Sequence, residues 1–265
     1  MALERTGPYD YLNPRREWLE TTSEEILDPE LPIVDAHHPI WAERGNNYQI
    51  DDFAEDLASG HNVISSVFAE CHYSYFTDGP LELRPVGETK RIGEIADSCD
   101  TRGMRTRVCE GIVGFADLRL GHQIAPVLEA HISAANGRFR GIRQLALRDK
   151  HFPNGVIVRP GPMRLYADPS FCLGLAEVAK FGLTFDASVY HTQHADVYEL
   201  ARAVPQSTIV LGHFGGLLGV GPYQGEPSTF LEWRDGIQAL AACPNIYLKL
   251  GGVEWSAVGS ATTCE

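Results

Sequence analysis

Leu31-Pro-Ile-Val-Asp-Ala-His-His-Pro-Ile-Trp41 reads as a strand that runs out into a pair of histidines. Ile33, Val34 and Ala36 supply an apolar, partly β-branched run, the composition of a strand buried in a sheet. Asp35 and His37 interrupt it near its carboxyl end. Polar groups are costly inside a core unless something satisfies them, so a strand ending this way is expected to carry a site. Side chains alternate along a strand, so positions 35, 37 and 39 share one face and His38 leaves from the other. A two-ligand His-x-His edge would need histidine at position 39, and the chain has Pro39.

Beyond this segment, strand and helix signals alternate. Strands are expected at Val63–Ala69, Val108–Phe115, Gly141–Leu147, Leu183–Val189, Thr208–His213 and Ile246–Leu250, after the first at Ile33–His37. Between them lie apolar faces at helical spacing: Ile50, Phe53, Ala54 and Leu57; Ile92, Ile95 and Ala96; Ile124, Val127, Leu128 and Ile132. Leu173, Leu175, Ala176 and Ala179, then Val197, Leu200, Ala201 and Val204, then Ile237, Leu240 and Ala241 continue the pattern. Asp168-Pro169 provides a cap and a first-turn proline for the fourth of these helices. Seven strands alternating with helices imply an α/β fold with a parallel sheet, and a spacing of roughly 36 residues per unit suits a (β/α) TIM-type barrel. An eighth strand and helix have no convincing pattern in Ser256–Glu265, so the barrel is expected to stop after its seventh strand. Residues 1–30 read as a polar N-terminal arm with a short helix at Ser23–Leu27, and residues 31–265 as the barrel domain.

The chain of 265 residues is 44% hydrophobic, enough for a sizeable core, and carries a formal net charge of -13. Such acidity argues against nucleic acid and anionic membranes as partners, while a local arginine cluster could still receive an anionic small molecule. No apolar run approaches the ~20 residues of a spanning helix, and the N-terminus lacks the apolar core of a signal peptide. A cytoplasmic protein is expected. Six scattered cysteines without a CxxC motif read as reduced thiols.

In a barrel the chemistry sits at the carboxyl ends of the strands. Those ends carry His37, Glu70, Asp117, Tyr190-His191-Thr-Gln193, Gly212-His213-Phe-Gly-Gly216 and Lys249, with Arg143 and Arg148 beside the fourth. Three histidines from separate strands, His37, His191 and His213, could bind a divalent metal, zinc first, since neutral imidazole is a common ligand. Each could equally be a hydrogen-bonded structural residue. Glu70 is a candidate acid or base, or a salt-bridge partner. Lys249 is a candidate catalytic group, or a lysine reaching out from the rim. Arg143 and Arg148 could meet a substrate carboxylate, or anchor a loop. The glycines around His213 lack the spacing of a phosphate loop and are expected to permit a tight turn.

Taken together, these motifs resemble the amidohydrolase superfamily in its amidohydrolase-related ("amidohydrolase 2") branch. The resemblance runs through Ile33–Trp41, Phe68-Ala-Glu-Cys71, Phe139-Arg-Gly-Ile-Arg143, Leu183-Thr-Phe-Asp186, Tyr190–Gln193, Ile209–Gly216 and Tyr247–Gly252. It implies a TIM-barrel hydrolase of the lactonase kind, acting on a cyclic ester that can bear carboxylates. It also implies His37, His191 and His213 as metal ligands. Strand-end position makes Glu70, His213 and Lys249 the candidate catalytic groups, and Arg143, Gln193 and Tyr190 the candidate substrate contacts. Two family groups have no counterpart: the second histidine of the first strand is Pro39, and no strand-eight aspartate is present. A barrel of impaired chemistry that only binds a small molecule, and a metal-dependent decarboxylase, are the alternatives. An open barrel edge would expose unpaired strands, so a homo-oligomer covering it is expected.

Overall fold

Apolar strands alternating with amphipathic helices build a single parallel sheet. The computed structural model describes residues 20–41, 47–155 and 160–252. Its strands are β1 (Ile33–His38), β2 (Val63–Ala69), β3 (Arg107–Gly114), β4 (Phe139–Leu145), β5 (Thr184–Ser188), β6 (Thr208–Leu211) and β7 (Ile246–Leu248). They lie side by side in chain order, each parallel to the next. The intervening helices are α1 (Ile50–Leu57), α2 (Val86–Thr101), α3 (Ala125–Ala134), α4 (Pro169–Lys180), α5 (His194–Ala203) and α6 (Pro227–Ala241). The sheet curls far enough that side chains following β7 touch the end of β1: the Lys249 ammonium lies 3.2 Å from His37 Nδ1. The seven strands thus form a half-barrel of α/β type, as the alternation predicts.

The core lies between the sheet and its helices. Ile112, Ile142, Phe185 and Ile209 are fully buried on the helix side, and Phe185 meets the rings of Tyr166 and Phe171. α4 begins where its cap predicts: Ser170 N–H donates to Asp168 Oδ1 at 2.8 Å, and Pro169 occupies the first turn. Five cysteines, Cys71, Cys99, Cys109, Cys172 and Cys243, are free thiols; Cys264 lies outside the described residues.

Three expectations need correction. β1 is an edge strand among the described residues, and Val34 is 53% exposed rather than buried on both faces. Residues 23–27 form no helix, because fully exposed Leu27 finds no apolar surface to pack on. The sixth strand stops at Leu211, since after extended Gly212 the residues His213–Gly216 turn left-handed. The expected end of the barrel falls partly on residues 253–265, and most of the N-terminal arm on 1–19, both outside the described residues.

His38 does leave β1 on the face opposite the site, and there it is buried. Its ring stacks on Phe53 of α1 at 4.1 Å, and its Nε2 lies 3.0 Å from Ser66 Oγ, which also accepts from Cys109 N–H. Ser66 thus satisfies the Nε2 of this histidine within the core.

Close approach at α4 gives a test of this packing. A Cβ on Gly174 would run into the carbonyl oxygen of Leu118, in the 3₁₀ turn Leu118–Ile124. Gly174→Ala is expected to lower unfolding stability by about 1–3 kcal/mol, the usual range for overpacking, as measured by urea denaturation.

Candidate active site

The parallel ladder places two opposite charges beside one another. Register between β4 and β5 pairs Arg143 with Asp186 and Leu145 with Ser188. Along β5, Phe185 and Ala187 enter the helix-side core, so Asp186 and Ser188 take the inner face. Arg143 Nη1 donates to the Glu70 carbonyl oxygen at 3.0 Å, and its Nε lies 3.4 Å from Ser188 Oγ. Its guanidinium also stands 3.9 Å from the Glu70 carboxylate, which is buried at the end of β2.

Lys249 closes the group from the far side of the sheet. Its ammonium donates to Asp186 Oδ2 at 2.7 Å and to His37 Nδ1 at 3.2 Å. The lysine and aspartate side chains are 12% and 7% exposed, so this pair is largely withdrawn from water. The Lys249 backbone is pinned on both sides. Its N–H donates to the Leu211 carbonyl at 2.8 Å, and its carbonyl accepts from Phe214 N–H at 3.1 Å. The His37 and His213 rings meet edge to face, with centroids 4.8 Å apart.

His213 sits on a strained turn. His213, Phe214, Gly215 and Gly216 all have positive φ, at 50°, 51°, 74° and 66°. For the two non-glycine residues this conformation costs on the order of 1–2 kcal/mol each. Surrounding bonds hold it: Phe214 N–H to Lys249, Trp233 Nε1–H to the Phe214 carbonyl at 2.6 Å, and His191 N–H to the Gly216 carbonyl at 2.9 Å. Gly216 is required twice over, because a Cβ there would also collide with the Val189 carbonyl oxygen.

Charge and burial keep the imidazoles neutral. Burial, reinforced by Arg143, Lys249 and His213, holds His37 far below the usual histidine range. Burial, then Arg143 and Lys249, pushes His213 down to about 3. Burial also lowers His191. On the other side of Glu70, burial and the Glu70 charge push Glu88 up to about 8, while its Oε1 accepts from the backbone N–H of Cys71 and Tyr73.

The structure therefore gathers His37, His213, Lys249, Arg143 and Glu70, and adds Asp186. His191 stands apart from the Lys249 group in its contacts. Its Nδ1 accepts from Leu218 N–H at 3.2 Å, and its ring lies edge-on to Tyr223. The Gln193 amide bridges backbone: Oε1 accepts from Arg148 N–H and Tyr190 N–H, and Nε2 donates to the Ala146 carbonyl. Tyr190 is buried in a small apolar cluster with Leu147 and Leu218. Arg148 Nη1 donates to the Gly161 carbonyl. Asp117 caps a 3₁₀ turn and pairs with Arg119. Asp186 and Trp233 were not among the expected site residues. A charged residue inside an otherwise apolar strand, matched by a lysine at the end of another, is the signal for the first. Trp233 carries none, because its role depends on a turn two elements away.

The three-histidine metal cage does not fit these residues. A lysine ammonium occupies the approach to His37 Nδ1 and Asp186. Accepting at Nδ1 leaves neutral His191 protonated at Nε2, with no lone pair to give. Among the described residues, no group of three or more His, Cys, Asp or Glu is placed to hold a metal ion.

Two measurements check this geometry. Trp233→Phe keeps an aromatic ring but leaves the Phe214 carbonyl without its indole donor, and is expected to cost about 1–3 kcal/mol in urea denaturation. For His213, the folded value of about 3 lies below the unfolded 6.5, so the unfolded chain binds more protons between them. The His213 contribution to stability is then complete above pH 6.5 and declines as the pH falls toward 3. Urea midpoints should drop from pH 7 to pH 5, and the drop should be shallower in His213→Asn.

Relatives agree with this architecture. The family model described as Amidohydrolase matches residues 34–265. The uncharacterized protein y4mH of Sinorhizobium fredii (strain NBRC 101917 / NGR234) is 30% identical over 246 residues, spanning 84% of this chain and 74% of that protein. Two crystal structures of an amidohydrolase from Burkholderia multivorans are 20% identical with a TM-score of 0.57. One has bound HEPES, covering 83% of this chain and 70% of that one; the other has bound zinc, covering 83% and 69%. No helix among the described residues is long and apolar enough to cross a membrane. With parallel strands delivering histidines, a lysine and an aspartate to one rim, and with the family match running from β1 onward, the chain belongs to the amidohydrolase family.

Proposed function

We propose that the chain hydrolyses a cyclic ester bearing a carboxylate. The observation that carries this reading is the pairing of two neutral imidazoles, His37 and His213, with two cations, Arg143 and Lys249, on one strand-end rim. Neutral imidazole can take a proton from water, and a cation can stabilise the oxyanion that forms on the carbonyl. Arg143 and Lys249 keep N–H donors that their partners Glu70 and Asp186 do not use, and these suit a substrate carboxylate and an oxyanion.

In the reaction, Arg143 receives the substrate carboxylate, for which its fork is suited. Water attacks the lactone carbonyl carbon while His213 takes its proton. The Lys249 ammonium, already donating to Asp186 and His37, has a third N–H for the developing oxyanion. Collapse of the intermediate breaks the ring C–O bond, and the His213 proton passes to the leaving alkoxide. The product is the open hydroxy acid. In the resting site Arg143 and Lys249 both disfavour protonated His213, after burial. A bound carboxylate offsets that charge and raises the basicity of His213 when substrate is present. Glu70, buried against Arg143, orients the guanidinium, and His37 and Asp186 orient the ammonium. Leu218 N–H fixes the His191 ring through Nδ1, and Tyr190 and Gln193 support its turn. The wider expectations, a small-molecule substrate and a homo-oligomer, stand as part of this proposal.

Hydrolysis of a panel of carboxylated and uncharged sugar and aromatic lactones tests the reading. His213→Ala is expected to lower kcat by about 10²–10⁴ without a comparable change in KM. Arg143→Lys should raise KM about tenfold or more for carboxylated lactones and leave uncharged ones nearly unaffected. Absence of turnover across the panel, or an equal effect of Arg143→Lys on both classes, would contradict it.

A further inference from the structure

A cation already stands between two side chains able to bind a metal. Asp186 Oδ2 and His37 Nδ1 converge on one point, and the Lys249 nitrogen is at that point, 2.7 Å and 3.2 Å away. These are hydrogen-bond lengths from an ammonium, whereas zinc needs such donors at about 2.0–2.2 Å. The third imidazole of the group, His213, lies against His37, and its own turn is tied to the Lys249 carbonyl. Lys249 is not a surface lysine that has folded inward. Its backbone continues the β6–β7 pairing through Leu211, and its side chain is nearly buried. A divalent ion at the same donors would face a fixed like charge at contact distance. The other candidate donors are withdrawn too: His191 offers no lone pair while Leu218 N–H holds its Nδ1, and Pro39 has no side-chain donor.

We propose that Lys249 is the resident cation of this centre: its ammonium takes the place between Asp186 and His37 that a divalent metal would occupy, and the centre works without one. Asp186 and His37 are then positioning residues that hold the ammonium with one N–H aimed at the ligand. The family ligand set has not simply been thinned; its charge is supplied from within the chain. This assignment concerns binding and so stands or falls separately from the hydrolase reading, although it names the electrophile of that reaction.

Zinc titration of the purified full chain against a chromogenic chelator tests it. Wild type is expected to compete no better for zinc than Asp186→Asn does. Lys249→Ala, which frees both donors, should bind zinc at least about tenfold more tightly than wild type. The gain should vanish in the Lys249→Ala, Asp186→Asn double variant, which separates this site from surface histidines and thiols. Lys249→Arg keeps a cation and should show no gain. Circular dichroism verifies folding; if Lys249→Ala is unfolded, Lys249→Met, closer in volume, replaces it. Tight stoichiometric zinc in the wild type, lost in Asp186→Asn, would overturn the proposal, as would a folded charge-removed variant with no gain. Turnover abolished by chelator and restored by zinc would overturn it while leaving the hydrolase reading intact. The expected zinc profile without lactone turnover would leave Lys249 as the cation and remove the hydrolase reading.

Discussion

The ion pair between Lys249 and Asp186 is the constraint on which the site depends. Asp186 is fixed in the ladder between β4 and β6, where it cannot turn to water. An uncompensated carboxylate there would cost several kcal/mol. Lys249 arrives from the last described strand and also meets His37 at the end of the first. One ammonium therefore links the middle of the sheet to both of its edges. Buried pairs of this kind add little net stability compared with apolar packing, and their attested use is to specify geometry. Here the specified geometry is the meeting of β1 with β7.

The same residue supports the histidines. Its carbonyl accepts from the N–H of Phe214 in the left-handed turn that carries His213, and Trp233 Nε1–H donates to the carbonyl of the same residue. Strain in this turn is held by neighbours on three elements, a common arrangement where a side chain must be aimed. His191 is linked to the far end of the turn through Gly216. Electrostatics follow from the assembly. Burial and two cations keep His37 and His213 neutral, so the resting rim is positive at Arg143 and Lys249 and uncharged at its imidazoles. Asp186 and Glu70 offset these two cations in formal charge, so the centre is balanced and its N–H donors, not a net charge, distinguish it.

Much of this was legible in the sequence, and the gaps have physical causes. β2 and α1 match their expected bounds because their apolar spacing begins and ends abruptly at polar or small residues. α4 was legible at its start because Asp168-Pro169 is a local signal needing no tertiary context. α2 is longer than the Ile92–Ala96 pattern suggests, because Glu88 and Thr89 are buried in its first turns and break the apolar repeat. Both have partners distant in sequence: Glu88 Oε1 meets the backbone after β2, and Thr89 meets His131. Within the site, strand-end position found His37, His213, Lys249 and Arg143. It could not tell which face of the loop Gln193 would serve, nor that Leu218 would fix the ring of His191. Asp186 was hidden because an apolar run with one acid resembles a core strand until its lysine is known.

Nitrogen-15 NMR of the His37 imidazole in the full-length protein tests the central contact most directly. If Lys249 donates to His37 Nδ1, the ring is neutral, with its proton on Nε2 and an acceptor shift at Nδ1, unchanged from pH 8 down to about 5 because burial and charge oppose protonation. Replacement of Lys249 by methionine should move the Nδ1 resonance toward that of an imidazole without a charged donor. A ring protonated at Nδ1, or one that becomes imidazolium near pH 6.5, would contradict Lys249 as the cation around which the site is built.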